Sequence, residues 1–294
     1  MKTSHWEENL LELIRRTAAD LPSDVEAGLR RALRNEKKGS HAAWAMETIL
    51  RDVDTARQNG VPLCQDTGSL LFYFLVPVGF DTNALAARAR AAISRATRLG
   101  FLRQNTVDSV SGAVYETNVA HGSPVFHFAQ GARKTVDVRL VLKGGGCENV
   151  GMQFSLPDKA LGANRDLDGV RRCILRAVWE AQGAGCSPGV AGVCIGGDRA
   201  TGQAHAKEQF LRRMCDRSPV KELSKLEHRV LQDVRRLGIG PMGLGGRTTL
   251  LGVKIGALSR LPASYFVTVS FMCWAFRRRG AVLGPEGGLH RWLY

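Results

Sequence analysis

The chain has 294 residues, of which 44% are hydrophobic, 23% charged and 7% aromatic, a composition that is typical of a globular protein. It lacks both an apolar N-terminal leader and the run of about 18 apolar residues that a membrane-spanning helix needs, so we expect a cytoplasmic protein with no membrane partner. The net charge of +14 predicts anionic partners, which could be nucleic acid, anionic lipid or small anionic substrates. Because the basic residues are dispersed and accompany no nucleic-acid-binding motif, we expect no nucleic-acid partner.

The first hundred residues predict helices around one buried strand. Residues 7–50 have the periodicity of amphipathic helices, and residues 84–99 form an alanine-rich helical pattern. Between them, residues 70–78 are a continuous apolar run that is typical of a buried strand. A polar turn at residues 61–68 leads into that strand.

The remainder of the chain predicts alternating strands and helices. Strands are predicted at residues 124–142, 190–195, 249–255 and 265–270, the last of these being the final strand. Helices are predicted at residues 168–182, beginning at Asp166 or Asp168 and ending at Gly183, and at residues 221–237, ending at Gly238. We interpret the run 277–279, three consecutive arginines, as solvated surface charge like most of the other basic residues. With no linker-like tract and no repeat, the prediction is one compact mixed α/β domain over residues 1–294.

Seven cysteines in a chain without a secretory signal do not predict a disulfide framework. Cys173 and Cys194 lie within a predicted helix and strand, and Cys215 lies near a helix end. For these three cysteines we expect a structural role as small apolar side chains.

The other cysteines have settings that suit a metal ligand. Cys64 and Cys186 lie in turns rich in glycine and proline, where a thiolate stays accessible and backbone N–H groups are near. Cys273 follows a strand and is a candidate third ligand, and Cys147 also has a glycine-rich setting. Because their wide spacing matches no compact ferredoxin pattern, spacing alone leaves a metal cluster as the weaker alternative.

Three glycine-rich stretches could contact an anion. Residues 144–149 could place backbone N–H groups against one. Residues 196–202 lack the ending of a phosphate-binding loop, and residues 238–243 match a dinucleotide motif only literally, because they contain Pro241 and follow a helix. We therefore predict turns and small-anion contacts rather than a nucleotide site.

Several of these segments together resemble a known family. The segments are residues 64–68 (CQDTG), 143–149 (KGGGCEN), 185–189 (GCSPG), 195–200 (IGGDRA), 245–249 (GGRTT) and 263–275 (ASYFVTVSFMCWA). In this order they are similar to the α subunit of class I, iron-sulfur fumarate hydratases, which is shared with L-tartrate dehydratase. The resemblance covers residues 60 to 280 and implies the mixed α/β fold of the N-terminal domain of iron-sulfur fumarases.

The resemblance implies a [4Fe-4S] cluster held by Cys64, Cys186 and Cys273. A cluster with three protein ligands leaves one iron open, and an open iron is a Lewis acid towards a substrate hydroxyl. The implied reaction is the reversible hydration of fumarate to (S)-malate, a hydro-lyase reaction. The alternatives are dehydration of L-tartrate to oxaloacetate and a subunit that binds the cluster without turnover.

The resemblance also assigns substrate contacts to this chain. Gln65 and Asp66 would face the substrate, and Asp66 would transfer the proton to or from the departing hydroxyl. Arg103 would clamp one carboxylate, and backbone N–H groups of Gly145 and Gly146 would hold the other end. A small dicarboxylate suits such a combination of a guanidinium and N–H donors.

Two departures from the family pattern stand out. Leu261 occupies a position where the family commonly has a histidine of the substrate pocket, and leucine can neither donate a hydrogen bond nor carry a proton. Where the family usually has a Gly-Asp pair, this chain has Val119-Ala120-His121-Gly122. Leu261 motivates the alternative of a catalytically degenerate subunit.

The family's second half, which supplies the base that abstracts the carbon-bound proton, has no counterpart in this sequence. We therefore expect a separate β subunit that completes the active site, in a heterotetramer.

Overall fold

A computed structural model describes residues 5–294, and its class is mixed α/β, as predicted. The helices are α1 (His5–Ala19), α2 (Ser23–Asn35), α3 (His41–Asn59), α4 (Thr82–Arg98), α5 (Gly145–Asn149), α6 (Leu167–Ala181), α7 (Arg199–Glu208) and α8 (Lys221–Arg235). The strands are β1 (Ser69–Pro77), β2 (Val125–Gly131), β3 (Val136–Lys143), β4 (Met152–Ser155), β5 (Gly189–Ile195), β6 (Leu250–Ala257), β7 (Phe266–Met272), β8 (Arg277–Leu283) and β9 (Leu289–Leu293). Short 3₁₀ turns lie at Gln209–Leu211 and Pro241–Gly243.

The described chain divides into two compact units, each built around one sheet. The first unit comprises the described residues up to Ser23, Asp52–Gly145 and Arg277–Tyr294. The second comprises Asp24–Arg51 and Gly146–Phe276. A single domain over residues 1–294 stays a prediction.

The first unit contains a five-stranded sheet in the order β2-β1-β3-β8-β9. Only β1 and β2 are parallel, and the other pairs are antiparallel. Alternate residues of the strands face a core with α1 and α4, in which Phe72 of β1 lies opposite Leu140 of β3. The helices contribute Leu10, Ile14 and Ile93, whose spacing forms the apolar stripe read from the sequence.

The second unit contains a four-stranded sheet in the order β4-β7-β5-β6. All of β5 is buried, which explains its uninterrupted run of small and apolar residues. Helix α7 packs closely on β5: a Cβ atom on Gly192 would lie 2.3 Å from the carbonyl oxygen of Ala206, so the contact requires glycine at this position. Helix α8 packs on β6.

Helix boundaries depend on the caps. The side chain of Asp166, one of the two predicted caps, accepts a hydrogen bond from the N–H of Gly169 at 2.7 Å and begins α6. Helix α8 ends at Arg235 with Arg236 as its cap, so it stops short of the predicted Gly238. Sequence patterns predicted neither α7 nor the four-residue strand β4.

The prediction that residues 265–270 form the last strand is wrong, because β8 and β9 follow β7. The solvated interpretation of the arginine run at residues 277–279 is also wrong, since Arg277 and Arg278 are both 0% exposed. They begin β8, where they pair with Leu142 and Val141 of β3, and they are buried despite their charge. Within the described residues, no helix is long and apolar enough to cross a membrane.

Candidate active site

The loop of residues 64–68 connects α3 to β1 and lies against the end of β3. Gly68 has φ +81°, and a Cβ atom there would lie 2.7 Å from the carbonyl carbon of Lys143. Both the left-handed conformation and the close backbone contact therefore require glycine at position 68. This packing fixes the position of Gln65 and Asp66 relative to the end of β3.

A cavity of about 650 Å³ opens beside this loop, within the first unit. Its lining includes Gln65, Asp66, Arg103, Asn105, His121 and Gly145. The structure thus brings together four of the residues that the resemblance assigned to the substrate, Gln65, Asp66, Arg103 and Gly145, while their roles stay predictions. Gly146 belongs to the second unit.

The carboxylate of Asp66 is held by the backbone. The N–H of Gly145 donates to Asp66 Oδ2 at 2.6 Å. The carbonyl oxygen of Asp66 accepts from Arg277 Nη2 at 2.7 Å. Asp66 is therefore fixed at both its side chain and its main chain, as a group that acts at one defined point requires.

Arg103 brings a guanidinium to the same cavity. Its Nη1 reaches the carbonyl oxygen and Oε1 of Gln65 only at 3.4 Å, and within residues 5–294 no carboxylate forms an ion pair with it. A guanidinium without a carboxylate in an open cavity is suited to a carboxylate ligand, which it can bind through two parallel hydrogen bonds.

A buried asparagine holds the segment that carries Arg103. Asn118 is 1% exposed; its Nδ2 donates to the carbonyl oxygen of Arg103 at 2.6 Å, and its Oδ1 accepts from the N–H of Asn105 at 3.0 Å. The amide of Asn105 is oriented so that its oxygen accepts from the N–H of Thr67 at 2.9 Å. Sequence reasoning missed Asn105 in the cavity, and its only signal was its position two residues after Arg103.

Of the three predicted cysteine ligands, Cys64 lies in the first unit, and Cys186 and Cys273 lie in the second. All three are partly exposed. The N–H of Trp274 donates to the carbonyl oxygen of Cys186 at 3.1 Å, so the segments that carry Cys186 and Cys273 are joined. Cys186 has φ +52°, between Gly185 and a proline-containing turn.

The remaining cysteines differ from these three. Cys173 and Cys194 are 0% exposed, and burial raises the pKa of each thiol to about 12, which keeps both protonated. Cys147 is buried and Cys215 is exposed. The structural role expected for Cys173 and Cys194 agrees with their burial, whereas Cys215 lies at the surface.

The donor chemistry of Cys64, Cys186 and Cys273 fits a soft metal group, because they are accessible thiols in turns rather than core thiols. Within the described part of the chain, no three His, Cys, Asp or Glu side chains meet as a preformed metal site.

Comparison with known proteins decides the family. A family model described as fumarate hydratase (fumerase) matches residues 7–282. The chain belongs to the fumarate hydratase family. All six segments that carry the resemblance lie within the matched residues.

Relatives of this fumarate hydratase family member differ in length and in name. A protein of Geobacillus stearothermophilus named as a class I fumarate hydratase is 47% identical over 98% of this chain, which spans 57% of that protein. A Methanocaldococcus jannaschii protein named as an L(+)-tartrate dehydratase subunit alpha is 30% identical over 92% of this chain and 94% of its own length. The L(+)-tartrate dehydratase subunit alpha of Escherichia coli K12 is 28% identical over 88% of this chain and 84% of its own length.

The glycine-rich segment at residues 196–202 contains a carboxylate that caps the following helix. Asp198 caps α7 by accepting from the N–H groups of Ala200 and Thr201 at 2.8 and 2.9 Å. These hydrogen bonds, from Thr201 first, lower the pKa of Asp198. These two N–H groups at the helix N-terminus therefore already have an acceptor within the chain, and the absence of a phosphate loop here stays a prediction.

The two departures from the family pattern lie in different settings. His121 lines the cavity, in a turn closed by reciprocal hydrogen bonds between the backbones of Ala120 and Ser123. Leu261 belongs to the second unit and is 73% exposed.

Proposed function

We propose that this chain is the α subunit of a [4Fe-4S] hydro-lyase that reversibly hydrates fumarate to (S)-malate. The observation that carries the proposal is one cavity containing the guanidinium of Arg103 and the fixed carboxylate of Asp66. Family membership and the 47% identity with a relative named as a class I fumarate hydratase support this choice of reaction. A cytoplasmic location and a place in the tricarboxylic acid cycle belong to the same proposal.

The substrate is bound as a dianion. The guanidinium of Arg103 donates hydrogen bonds to one carboxylate of the diacid, and Gln65 contributes a neutral amide beside it. Since the N–H of Gly145 already donates to Asp66, we assign Gly145 to positioning that carboxylate. A direct contact of the substrate with the backbone near Gly146 stays a prediction.

Asp66 moves the proton of the hydroxyl that leaves as water. Its Oδ2 is occupied by the N–H of Gly145, so Oδ1 is the oxygen that gives and takes the proton. In dehydration Oδ1 gives the proton to the departing hydroxyl, and in hydration it takes the proton back from water. The proton on the neighbouring carbon goes to a base that we assign to the partner subunit.

The cluster would be held by Cys64, Cys186 and Cys273. Their accessibility supports this set over Cys173 and Cys194, whose thiols stay protonated. When bound, the cluster supplies an electrophile for the substrate hydroxyl.

A β-type subunit would complete the site in a heterotetramer. Two relatives that are matched over most of their length carry the name subunit alpha, while the chain spans 57% of the Geobacillus relative. The hairpin of residues 107–115 supports a contact beside the cavity, because it exposes Val107, Val110, Val114 and Tyr115.

This hairpin is ordered by its own hydrogen bonds. Asp108 Oδ1 accepts from the N–H groups of Val110 and Ser111 at 3.1 and 2.7 Å, and the N–H of Asp108 donates to the carbonyl oxygen of Ala113 at 2.8 Å. Val110 at its tip is 98% exposed. A preformed loop that presents apolar side chains to solvent has the features of a protein-binding surface.

L-Tartrate is the second candidate substrate, supported by the names of the Methanocaldococcus and Escherichia relatives. Anaerobic assays of the chain with a β-type partner separate the two candidates. Fumarate formed from malate in excess of oxaloacetate formed from L-tartrate supports the proposal, and the reverse order replaces it with the tartrate reaction. Bound iron without turnover of either acid supports the degenerate alternative that Leu261 motivates.

A further inference from the structure

Three cationic side chains are buried at the end of the first unit's sheet that adjoins residues 64–68. Lys143 ends β3, and Arg277 and Arg278 begin β8, with Arg277 paired to Leu142 in the antiparallel register. Lys143 is 1% exposed, and the two arginines are 0% exposed. A buried guanidinium is costly unless hydrogen-bond acceptors or negative charge lie close to it.

Arg277 is a buried cation whose guanidinium finds only part of its hydrogen-bond acceptors among the described residues. Its Nη2 donates to the carbonyl oxygen of Asp66 at 2.7 Å. Its Nε and Nη1 are buried, and neither has a hydrogen-bond acceptor among residues 5–294. A buried guanidinium with two unsatisfied nitrogens is strongly destabilising, so these N–H groups are expected to face an acceptor that the chain itself does not supply.

The location of Arg277 narrows the choice of acceptor. Arg277 is not among the residues that line the 650 Å³ cavity, so a dicarboxylate held there by Arg103 is not its partner. Among residues 5–294, its one side-chain hydrogen bond goes to the loop of residues 64–68, at a position two residues from Cys64. The other anion that this loop is proposed to hold is the thiolate of Cys64 with its bound group.

We propose that Arg277 is a positioning residue for the iron-sulfur group at Cys64. Its Nη2 holds the backbone of the Cys64–Asp66 loop, while its Nε–H and Nη1–H donate to the negatively charged sulfur of that group. The inference rests on the proposed function, because it needs the cluster. Outer-shell hydrogen bonds of this kind change metal affinity by about 10–100-fold when they are removed.

The test compares Arg277→Met with Arg279→Met, a matched change on the same strand. Arg279 Nη2 pairs with the carboxylate of Asp20 and donates to the carbonyl oxygen of Leu21 at 3.0 Å, so its guanidinium has partners within the chain. The readouts are the melting temperature of the iron-free chain, iron and sulfide bound after anaerobic reconstitution, and the rate of iron loss to a chelator. Arg277→Lys is included because it keeps the charge but has no planar fork.

For Arg277→Met we expect an iron-free chain that melts at or above the wild-type temperature, and iron loss that is faster by about tenfold or more. The rate of iron loss from Arg277→Lys should lie between the rates of wild type and Arg277→Met. Arg279→Met should lower the melting temperature of the iron-free chain. Iron retention by Arg277→Met equal to wild type overturns this inference alone. So does an iron-free Arg277→Met chain that melts as low as Arg279→Met. A wild-type chain that binds no iron and sulfide overturns the proposed cluster as well.

Discussion

The backbone N–H of Gly145 donates a 2.6 Å hydrogen bond to Oδ2 of Asp66. Seventy-nine positions separate the two residues in the chain, and the bond joins the loop before β1 to the first residue of α5, just after β3. It leaves Oδ1 as the oxygen of Asp66 that can exchange a proton with a ligand.

Asp66→Asn removes the proposed proton-transfer group but keeps the acceptor for Gly145. An amide cannot take and return a proton at neutral pH, so we expect kcat to fall by about 10²–10⁴-fold, with a smaller change in KM. The control is Asp81→Asn at the N-cap of α4, a carboxylate with a structural contact. Turnover of Asp66→Asn equal to that of the control would exclude Asp66 as the proton donor.

Arg103→Gln removes the guanidinium from the cavity. Loss of a charge-assisted contact to a carboxylate costs about 1.5–3 kcal/mol, so KM should rise about 10–100-fold. Arg103→Lys should recover part of the affinity, because lysine restores the charge without the planar fork. The matched control is Arg98→Gln, an exposed arginine at the end of α4. An unchanged KM in Arg103→Gln would show that the substrate carboxylate binds elsewhere.

Thiol labelling separates the cysteines by accessibility and metal binding. In the native iron-free chain we expect alkylation of Cys64, Cys186, Cys273 and Cys215, while the buried cysteines react only after unfolding. After reconstitution with iron and sulfide, the three proposed ligands should become protected and Cys215 should still react. Mass spectrometry of labelled peptides gives the result. Protection of Cys215 in place of one of the three would contradict the ligand set.

The exposed hairpin of residues 107–115 is the proposed contact with the β-type subunit. Val110→Asp places a charge at the apolar tip without touching the core, since Val110 is 98% exposed. We expect weaker association with a β-type subunit in sedimentation experiments and an unchanged melting temperature of the isolated chain. Val78→Asp, at a 75% exposed valine after β1, is the control. Equal weakening by both variants would indicate a general effect of charge and not a hairpin contact.

Leu261→His tests the departure at position 261. An imidazole can donate to a carboxylate and carry a proton, whereas leucine can do neither. We expect higher hydratase turnover with unchanged thermal stability, because the side chain is 73% exposed. Kinetics identical to wild type would show that the substitution of leucine at this position does not limit the reaction.

Local sequence patterns predicted those helices and strands whose buried residues are themselves apolar. The apolar run at residues 70–78 is β1, and the apolar spacing of residues 221–237 corresponds to α8, apart from its last two positions. Strand β8 was missed because its first three residues are arginines, and their pairing with Leu140, Val141 and Leu142 of β3 is a contact between segments distant in the chain. Sheet position is a long-range property that a local window does not contain.

The candidate site could be predicted only in part, for the same reason. The turn that carries Cys64 is local and was singled out from the sequence, whereas the role of Asp66 came from the family resemblance. The buried Asn118 network and the donors of Arg277 that lack an acceptor depend on residues distant in the chain. Their polar side chains look like surface residues until the contacts are known.

The most direct measurement follows fumarate by its ultraviolet absorbance after malate is added to the anaerobically reconstituted chain with a β-type partner. The account predicts malate-dependent fumarate formation that vanishes in Cys64→Ala and persists in Cys215→Ala, whose exposed thiol is not a proposed ligand. A reconstituted complex that binds iron and sulfide but forms no fumarate from malate would contradict it, as would undiminished turnover in Cys64→Ala.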